Sequence, residues 1–195
     1  MRRRLVVLLL VAAAWTCARP ATAAPQVLPF DPGNAAIHFQ PRIAGLLHPT
    51  GVFERFQGRL SLDAEDLTRS EVRVSLSAAA IRVPLPGAAD RLRSPDYFDA
   101  ARFPDIDFRS TGVRAAADGR LAMSGLLTVR GVTRPETLEV AVQYGALAGA
   151  GPTGFRADGI IRRSDFGMTA DPLLVGDEIR LSIQVALGPD GGAGR

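Results

Sequence analysis

Two aspartates two positions apart, Asp105 and Asp107, are the residues of this sequence best placed for acid–base chemistry. Apolar and polar residues alternate around them, which predicts a β-strand on which both carboxyl groups share one face. Arg109 continues that face, while Asp99 and Arg102 precede it. Mixed charge of this kind is typical of an exposed surface. We therefore interpret the pair as surface residues and predict no catalytic group.

Metal and thiol chemistry have equally few candidates. His38 occupies an off-phase strand position that should face away from the apolar side, and His48 lies in a loop next to a proline. We interpret both as solvated or packed side chains. The one cysteine, Cys17, lies in the apolar leader of the chain, which leaves no thiolate nucleophile or thiolate ligand after it. We therefore predict no metal site and no cofactor.

Two short motifs match functional patterns but lack the context that those patterns need. Residues 149–154 fit the dinucleotide-binding glycine pattern, but a strand follows instead of a helix, and Pro152 interrupts it. Residues 165–167, Asp-Phe-Gly, match the magnesium-binding triplet of kinases, but the chain contains no lysine for the partner role. Arg163 and Asp165 form either an exposed surface pair or an ion pair that closes one end of the fold, and we favour the structural pair.

Aromatic and aliphatic residues are the remaining candidates. The sequence contains nine phenylalanines, all of them after the leader. Most would be core residues of any β protein, so alone they do not separate a filled core from an apolar ligand cavity. If a cavity exists, we predict that its ligand-binding residues are Phe39, Phe53, Phe56, Phe98, Phe108, Leu127, Val129, Phe155, Ile161, Phe166 and Ile183.

The elements that would position these residues are β-strands. Alternation of period two, with turn residues between the runs, recurs at 35–39, 51–62, 72–76, 106–110, 121–129, 138–144, 155–161 and 179–187. These eight strands predict an all-β, antiparallel fold that closes into an up-and-down barrel able to hold one small ligand. A two-sheet sandwich is the alternative. The opposite parity of Phe53 and Phe56 predicts a bulge near Glu54-Arg55, and Asp118-Gly119 predicts a hairpin turn.

One segment between the third and fourth strands interrupts the alternation. Residues 88–93 are predicted to form a short helical turn, and two prolines bracket the aromatic residues that follow it. The segment is either a plain surface crossover or an aromatic plug at the mouth of an apolar cavity. As the crossover of an eight-stranded barrel, the segment is predicted to pack Phe98 and Phe103 at one barrel end, while Phe108 reaches the lumen.

The first 23 residues are typical of a cleaved signal peptide, with a basic start, an apolar run too short to span a bilayer, and an Ala-Thr-Ala site. We predict one domain at 24–188 and a disordered tail at 189–195. Four of the 23 basic residues lie in the leader, so 19 basic and 20 acidic residues follow it. A net charge this close to zero gives no reason to expect nucleic-acid binding.

Four motifs in register resemble those of the YceI-like family of secreted lipid-binding domains. The similarity extends over 30–187, and the motifs are GVFERFQG at 51–58, SPDYFD at 94–99 with FPDIDFRST at 103–111, GLLTVRGVTRP at 125–135, and RSDFG at 163–167. The chain departs from the family near its start. Asn34-Ala35 stands where a His-Ser pair is common, and Ile43 stands where a histidine is common. If those groups help to hold a polar head group, that contact is weaker here.

The resemblance implies a lipocalin-like, eight-stranded barrel whose apolar lumen takes a long isoprenoid chain, polyprenyl or quinone, or a similar lipid. It implies a periplasmic protein without catalysis or metal, serving transport, storage or sequestration. We further expect no nucleic-acid partner, no stable membrane anchor beyond transient contact, and a monomer or dimer. Two other functions stay open: a protein-interaction or stress-response module with a side-chain-filled lumen, and an enzyme that acts on a bound lipid through Asp105, Asp107 or His48.

Overall fold

The computed structural model describes residues 25–145 and 151–188. This part of the chain is all-β, as predicted, with one antiparallel sheet and one short α-helix, α1 (Ala88–Arg93), where the helical turn was expected. The strands are β1 (Gln26–Phe30), β2 (Ala35–Ile43), β3 (Gly51–Phe53), β4 (Phe56–Leu62), β5 (Glu71–Ser77), β6 (Ile81–Arg82), β7 (Asp105–Ala115), β8 (Leu121–Val129), β9 (Val132–Tyr144), β10 (Pro152–Arg162) and β11 (Val175–Ala186).

Interruptions of three barrel strands account for the eleven strands observed where eight were predicted. β3 and β4 are one segment broken at Glu54 and Arg55, where the bulge was expected. β1 and β2, separated by residues 31–34, pair with β4 and β3 along one edge of that segment. β5 and β6, separated by residues 78–80, pair with β4 and β3 along its other edge. The sequence did not indicate β1, because it contains Pro29; proline is tolerated there because β1 is a terminal strand.

The sheet curls on itself into a barrel. Hydrogen-bonded neighbours follow the order β4-β5-β7-β8-β9-β10-β11-β2-β3, and β3 leads back into β4 through only Glu54 and Arg55. Consecutive strands of the ring are therefore also consecutive in the chain, which confirms the up-and-down topology. The turn between β7 and β8 has positive φ at both Asp118 and Gly119, 58° and 72°, as the hairpin prediction requires.

Close approaches between inward phenylalanine rings and glycines of the neighbouring strand shape the interior. A Cβ atom added to any of these glycines would overlap the ring. The pairs are Phe30 with Gly58, Phe39 with Gly51, and Phe108 with Gly125. Because the glycines leave room for the rings on a curved sheet, large apolar side chains form the inner wall.

The crossover between β6 and β7 turns sharply at Asp99, whose φ is 49°. Its carbonyl oxygen accepts hydrogen bonds from the backbone N–H groups of Arg102 and Phe103, each at 2.9 Å. The Asp99 side chain is 4% exposed and accepts from Arg102 Nη1 at 3.2 Å. The predicted exposure of Asp99 is therefore wrong, because the tight turn buries the residue at its centre. Asp105 and Asp107 are exposed, as expected.

No helix among the described residues has the length and apolar character needed to cross a bilayer. The predicted signal peptide at 1–23 and the predicted tail at 189–195 lie outside the described ranges. The boundaries of the mature domain therefore stay predictions.

Candidate ligand cavity

The barrel encloses an apolar cavity of about 530 Å³. Every strand except β6 contributes at least one side chain to its wall. Alternation along the strands explains this composition, because successive side chains point to opposite faces and the inward ones are apolar. The volume lies in the range of about 300–1,000 Å³ that is typical of small-molecule sites. The lumen is therefore not filled by the protein's own side chains.

Nine of the eleven residues predicted for a ligand site line this cavity. The Phe53 ring packs against Phe39 and Phe98, with centroid separations of 5.2 and 6.2 Å. Phe98, which belongs to the crossover between β6 and β7, is therefore part of the cavity wall. Phe103 lies outside the cavity, beside Arg102. Whether the nine residues bind a ligand stays a prediction; they are Phe39, Phe53, Phe98, Phe108, Leu127, Val129, Phe155, Ile161 and Ile183.

Phe56 and Phe166 are buried but do not reach the cavity, contrary to prediction. Phe166 is only 1% exposed and lies in the 3₁₀ turn Arg163–Phe166, where surrounding side chains enclose it. Phe56 begins β4 directly after the strand break and joins the packed core. The alternation of apolar and polar residues predicts that both phenylalanines are buried. It does not predict whether their rings contact the cavity or other protein atoms.

The cavity opens at one end of the barrel, which we call the mouth. The connections β2–β3, β6–β7, β8–β9 and β10–β11 form this end. At the opposite end the wall includes the partly buried Leu67 and the buried Ser70 of the β4–β5 connection, which cover the lumen. Four residues of the mouth connections both line the cavity and are exposed to solvent: Pro86, Gly87, Arg91 and Leu174.

One carboxylate ties two connections together across the mouth. Asp171 Oδ2 accepts hydrogen bonds from Tyr97 Oη at 2.8 Å and from Arg91 Nη2 and Nε at 2.8 and 3.1 Å. These donors hold the pKa of the Asp171 carboxyl below its usual range. Burial, together with the Asp171 charge, raises the pKa of the Tyr97 hydroxyl. We call Arg91, Tyr97 and Asp171 the clamp, since they link the α1 crossover to the β10–β11 connection.

Arg163 is also buried at the mouth end, but the structure gives it partners other than the predicted Asp165. The residue is 4% exposed, and its guanidinium donates four hydrogen bonds of 2.7 to 3.1 Å. A rigid fork of five N–H groups suits several acceptors at once. The acceptors are the carbonyl oxygens of Met168, Ala170, Val175 and Gly176. The expected structural role therefore rests on main-chain carbonyls and not on an ion pair.

Glu136 adds a carboxyl group to the cavity wall. Burial raises its pKa, and the charge of Asp165 raises it further. Sequence reasoning missed Glu136, although it shares the parity of the inward Leu138 and could have been found by it. No sequence pattern indicated the clamp, because Tyr97 and Asp171 are 74 positions apart in the chain. Ser70 aside, the polar groups of the wall gather toward the mouth, and the deeper wall is apolar.

The remaining sequence candidates lie away from the cavity. His48 is exposed, and His38 is half-buried on the outer side of β2. Within 25–145 and 151–188, no three histidine, cysteine or acidic side chains come together as metal ligands would. The glycine motif at 149–154 lies partly outside the described residues, and its remainder enters β10 instead of a helix. Ile43 adds an apolar group near the mouth.

A curled antiparallel barrel with an apolar lumen that opens at one end has the architecture of lipocalin-like proteins. Comparison with known families narrows this class. The chain belongs to the YceI-like domain family, which matches residues 29–187. The resemblance inferred from the four motifs is thereby confirmed.

Individual relatives agree with this assignment. A UPF0312 protein of Serratia proteamaculans is 29% identical over 154 residues, which cover 78% of this chain and 80% of the relative. The crystal structure of Burkholderia cenocepacia BcnA superposes with a TM-score of 0.70 at 20% identity, covering 80% of this chain and 97% of its own. A polyisoprenoid binding domain from Saccharophagus degradans, implicated in plant cell wall breakdown, superposes with a TM-score of 0.57 at 12% identity, covering 83% and 99%. At such identities the two structures establish the fold alone.

Proposed function

We propose that this protein holds a long-chain lipid, an isoprenoid such as a polyprenyl or an isoprenoid quinone, inside the barrel. The observation that carries the proposal is the apolar cavity of about 530 Å³ with one open end. The similar structure from Saccharophagus degradans is that of a polyisoprenoid binding domain, and this supports an isoprenoid over other chains. The void argues against the alternative of an interaction module with a filled lumen.

The distribution of polar groups suggests how such a lipid lies. Its chain occupies the deep part of the lumen, where the wall is aliphatic and aromatic. Its polar end stays at the mouth, near the Tyr97 hydroxyl and the carboxyl groups of Asp171 and Glu136. The reverse orientation would strip water from a polar head group without offering it partners, which is unfavourable.

Apolar burial is sufficient to account for tight binding. Each methylene transferred from water contributes about 0.8 kcal/mol, so a chain of several prenyl units binds without directed polar contacts. Such a site discriminates weakly, because one methylene changes affinity by only about 1–3 kcal/mol. Cavity length and shape would therefore set the preference among quinone, polyprenyl and fatty-acyl chains.

We place this binding function in the periplasm, on the basis of the signal peptide predicted at 1–23, and we propose transport, storage or sequestration with no chemical step. Asp105, Asp107 and His48, the residues considered for an enzyme, are exposed. The cavity carries none of the three. An apolar wall that shields a lipid from water fits a holder of the lipid better than a catalyst acting on it.

Two variants in which phenylalanine replaces an alanine, one inside the barrel and one outside, test the proposal. Ala157 lines the cavity on β10, so Ala157→Phe should fill part of the lumen. Ala141 of β9 stands opposite Arg156, one register step away, and does not line the cavity, so Ala141→Phe adds the same ring to the outer face. Mass spectrometry of organic extracts should find a long-chain lipid with the wild type and with Ala141→Phe, and much less with Ala157→Phe.

Two results would contradict the proposal. One is wild-type protein that carries no lipid and takes up neither added polyprenol nor added quinone. The other is Ala157→Phe protein that is folded, as judged by circular dichroism, and retains as much lipid as the wild type. Phe108→Asp is a more severe second variant, because it places a charge in the wall without a partner, and it should abolish retention.

A further inference from the structure

Four leucines at the mouth are exposed to solvent. Leu46 and Leu47, which follow β2, are 84% and 58% exposed; Leu173 and Leu174, which precede β11, are 100% and 53% exposed. They are half of the eight large apolar side chains that are exposed in the described ranges. We call these four residues the leucine patch. Burying this much apolar surface would be favourable, so its concentration at one site needs an explanation.

Ordered turns hold the patch in place. Ala44 and Gly45 have positive φ angles, 48° and 75°, which close the first turn tightly. Asp171 has a φ of 50° and accepts backbone hydrogen bonds within the second turn. The N–H of Ala44 donates to the carbonyl oxygen of Leu174 at 2.8 Å, so the two turns lie side by side. The leucines are therefore presented together on a defined surface.

The patch is continuous with the cavity wall. Leu174 is exposed and also lines the cavity, and the neighbouring Ile43 and Val175 line it as well. An apolar path therefore runs from the solvent-facing leucines through the mouth into the lumen. We propose that the leucine patch inserts into the surface of a lipid bilayer and that the lipid chain passes between bilayer and lumen along this path. The proposal rests on the proposed function, since it names the partner from which the cavity is loaded.

A bilayer fits the patch better than a protein partner does. A stable protein interface buries roughly 1,000 Å² or more, and four side chains on two narrow turns supply only a small part of that area. Shallow insertion of a few apolar side chains into the boundary between head groups and acyl chains has no such area requirement. Loading through direct contact also spares the chain a passage through water, which is unfavourable for each methylene.

The test uses the secreted protein, from which the predicted signal peptide at 1–23 has been removed, and vesicles of equimolar phosphatidylethanolamine and phosphatidylglycerol. Leu46 and Leu173 do not line the cavity, so the double variant Leu46→Glu/Leu173→Glu changes the patch alone. The double variant Leu126→Glu/Ile160→Glu is the matched control, because it adds the same two charges at side chains that are 43% and 55% exposed on the outer sides of β8 and β10. In vesicle flotation, the wild type and the control should float, and partitioning of the Leu46→Glu/Leu173→Glu variant should fall by about tenfold or more.

Uptake of polyprenol dispersed from ethanol, measured in parallel without vesicles, reports on the cavity independently of the patch. Normal uptake by a wild type that does not float overturns the membrane proposal and leaves the lipid-binding function standing. Flotation by a wild type that takes up no polyprenol overturns the function and, with it, the path into the lumen. A Leu46→Glu/Leu173→Glu variant that floats as well as the wild type also overturns the proposal. Binding only to vesicles that carry membrane protein would assign the patch to a protein partner and would overturn it too.

Discussion

Two arginines hold the β10–β11 connection in contrasting ways. Arg163 is the first residue of the connection, is 4% exposed, and donates only to main-chain carbonyl oxygens. Arg91 reaches it from the α1 crossover, has a side chain that is 53% exposed, and pairs with the carboxylate of Asp171. The first contact ties residues 168–170 and the start of β11 at 175–176 to the start of the connection, and the second holds the tip at Asp171.

The difference between the Arg163 and Arg91 contacts indicates which part of the mouth can move. Carbonyl oxygens that lose a buried donor stay unsatisfied, so opening the Arg163 contacts is costly, and the segments at 168–170 and 175–176 stay attached to the barrel. An ion pair as exposed as Arg91–Asp171 contributes little, so the tip can separate from the crossover without unfolding the barrel. Because the tip also carries Leu173 and Leu174, we infer that lipid entry requires the clamp to open and the Arg163 contacts to persist.

The largest expected effect comes from breaking the buried contact. Arg163→Met keeps much of the side-chain volume but removes all four hydrogen bonds. The free energy of unfolding in urea should fall by about 3 kcal/mol or more, because several buried carbonyl oxygens lose their partner. Arg156→Met is the matched control, since Arg156 pairs with Asp158 on the surface, and it should cost no more than about 1 kcal/mol. Equal losses for the two variants would contradict the assigned role of Arg163.

A smaller effect, on kinetics and not on stability, is expected from the clamp. Asp171→Asn removes the charge that Arg91 pairs with, while the amide oxygen can still accept from Tyr97. Release of a fluorescent polyprenol to acceptor vesicles should accelerate by roughly threefold to tenfold, the scale of one weakened charge-assisted hydrogen bond. Asp96→Asn is the control, because Asp96 lies 3.9 Å from Arg91 Nη2, with no hydrogen bond, and is 62% exposed. An unchanged release rate for Asp171→Asn would show that the clamp does not limit exchange.

The same contrast separates what the sequence predicted from what it could not. Alternation predicted the barrel strands and placed residues such as Phe108 and Ile183 in the cavity wall, because strand parity determines which face a side chain occupies. Alternation could not predict the partners of Arg163, because these partners are main-chain carbonyl oxygens, which every residue has whatever its side chain. Asp171 was missed because only the folded barrel brings it to Tyr97, 74 positions away. Phe56 and Phe166 show that burial alone does not place a ring beside the void.

The smallest expected effect is the pH dependence of the clamp, which has a definite sign. Asp171 has a lowered pKa in the folded protein, so its contribution to the clamp is complete above the ordinary carboxyl pKa of about 3.9 and is lost as the pH falls through the lowered value. Asp171 stays ionised from about pH 7 to pH 5, so it should not change the rate of lipid release over that range. Its protonation in more acidic solution should accelerate release. The raised pKa of Glu136 places its protonation at higher pH, so Glu136→Gln is the background in which the Asp171 transition is measured alone. In that background, Asp171→Asn should remove the acid-induced acceleration, and an acceleration that persists would assign it to a group outside the clamp.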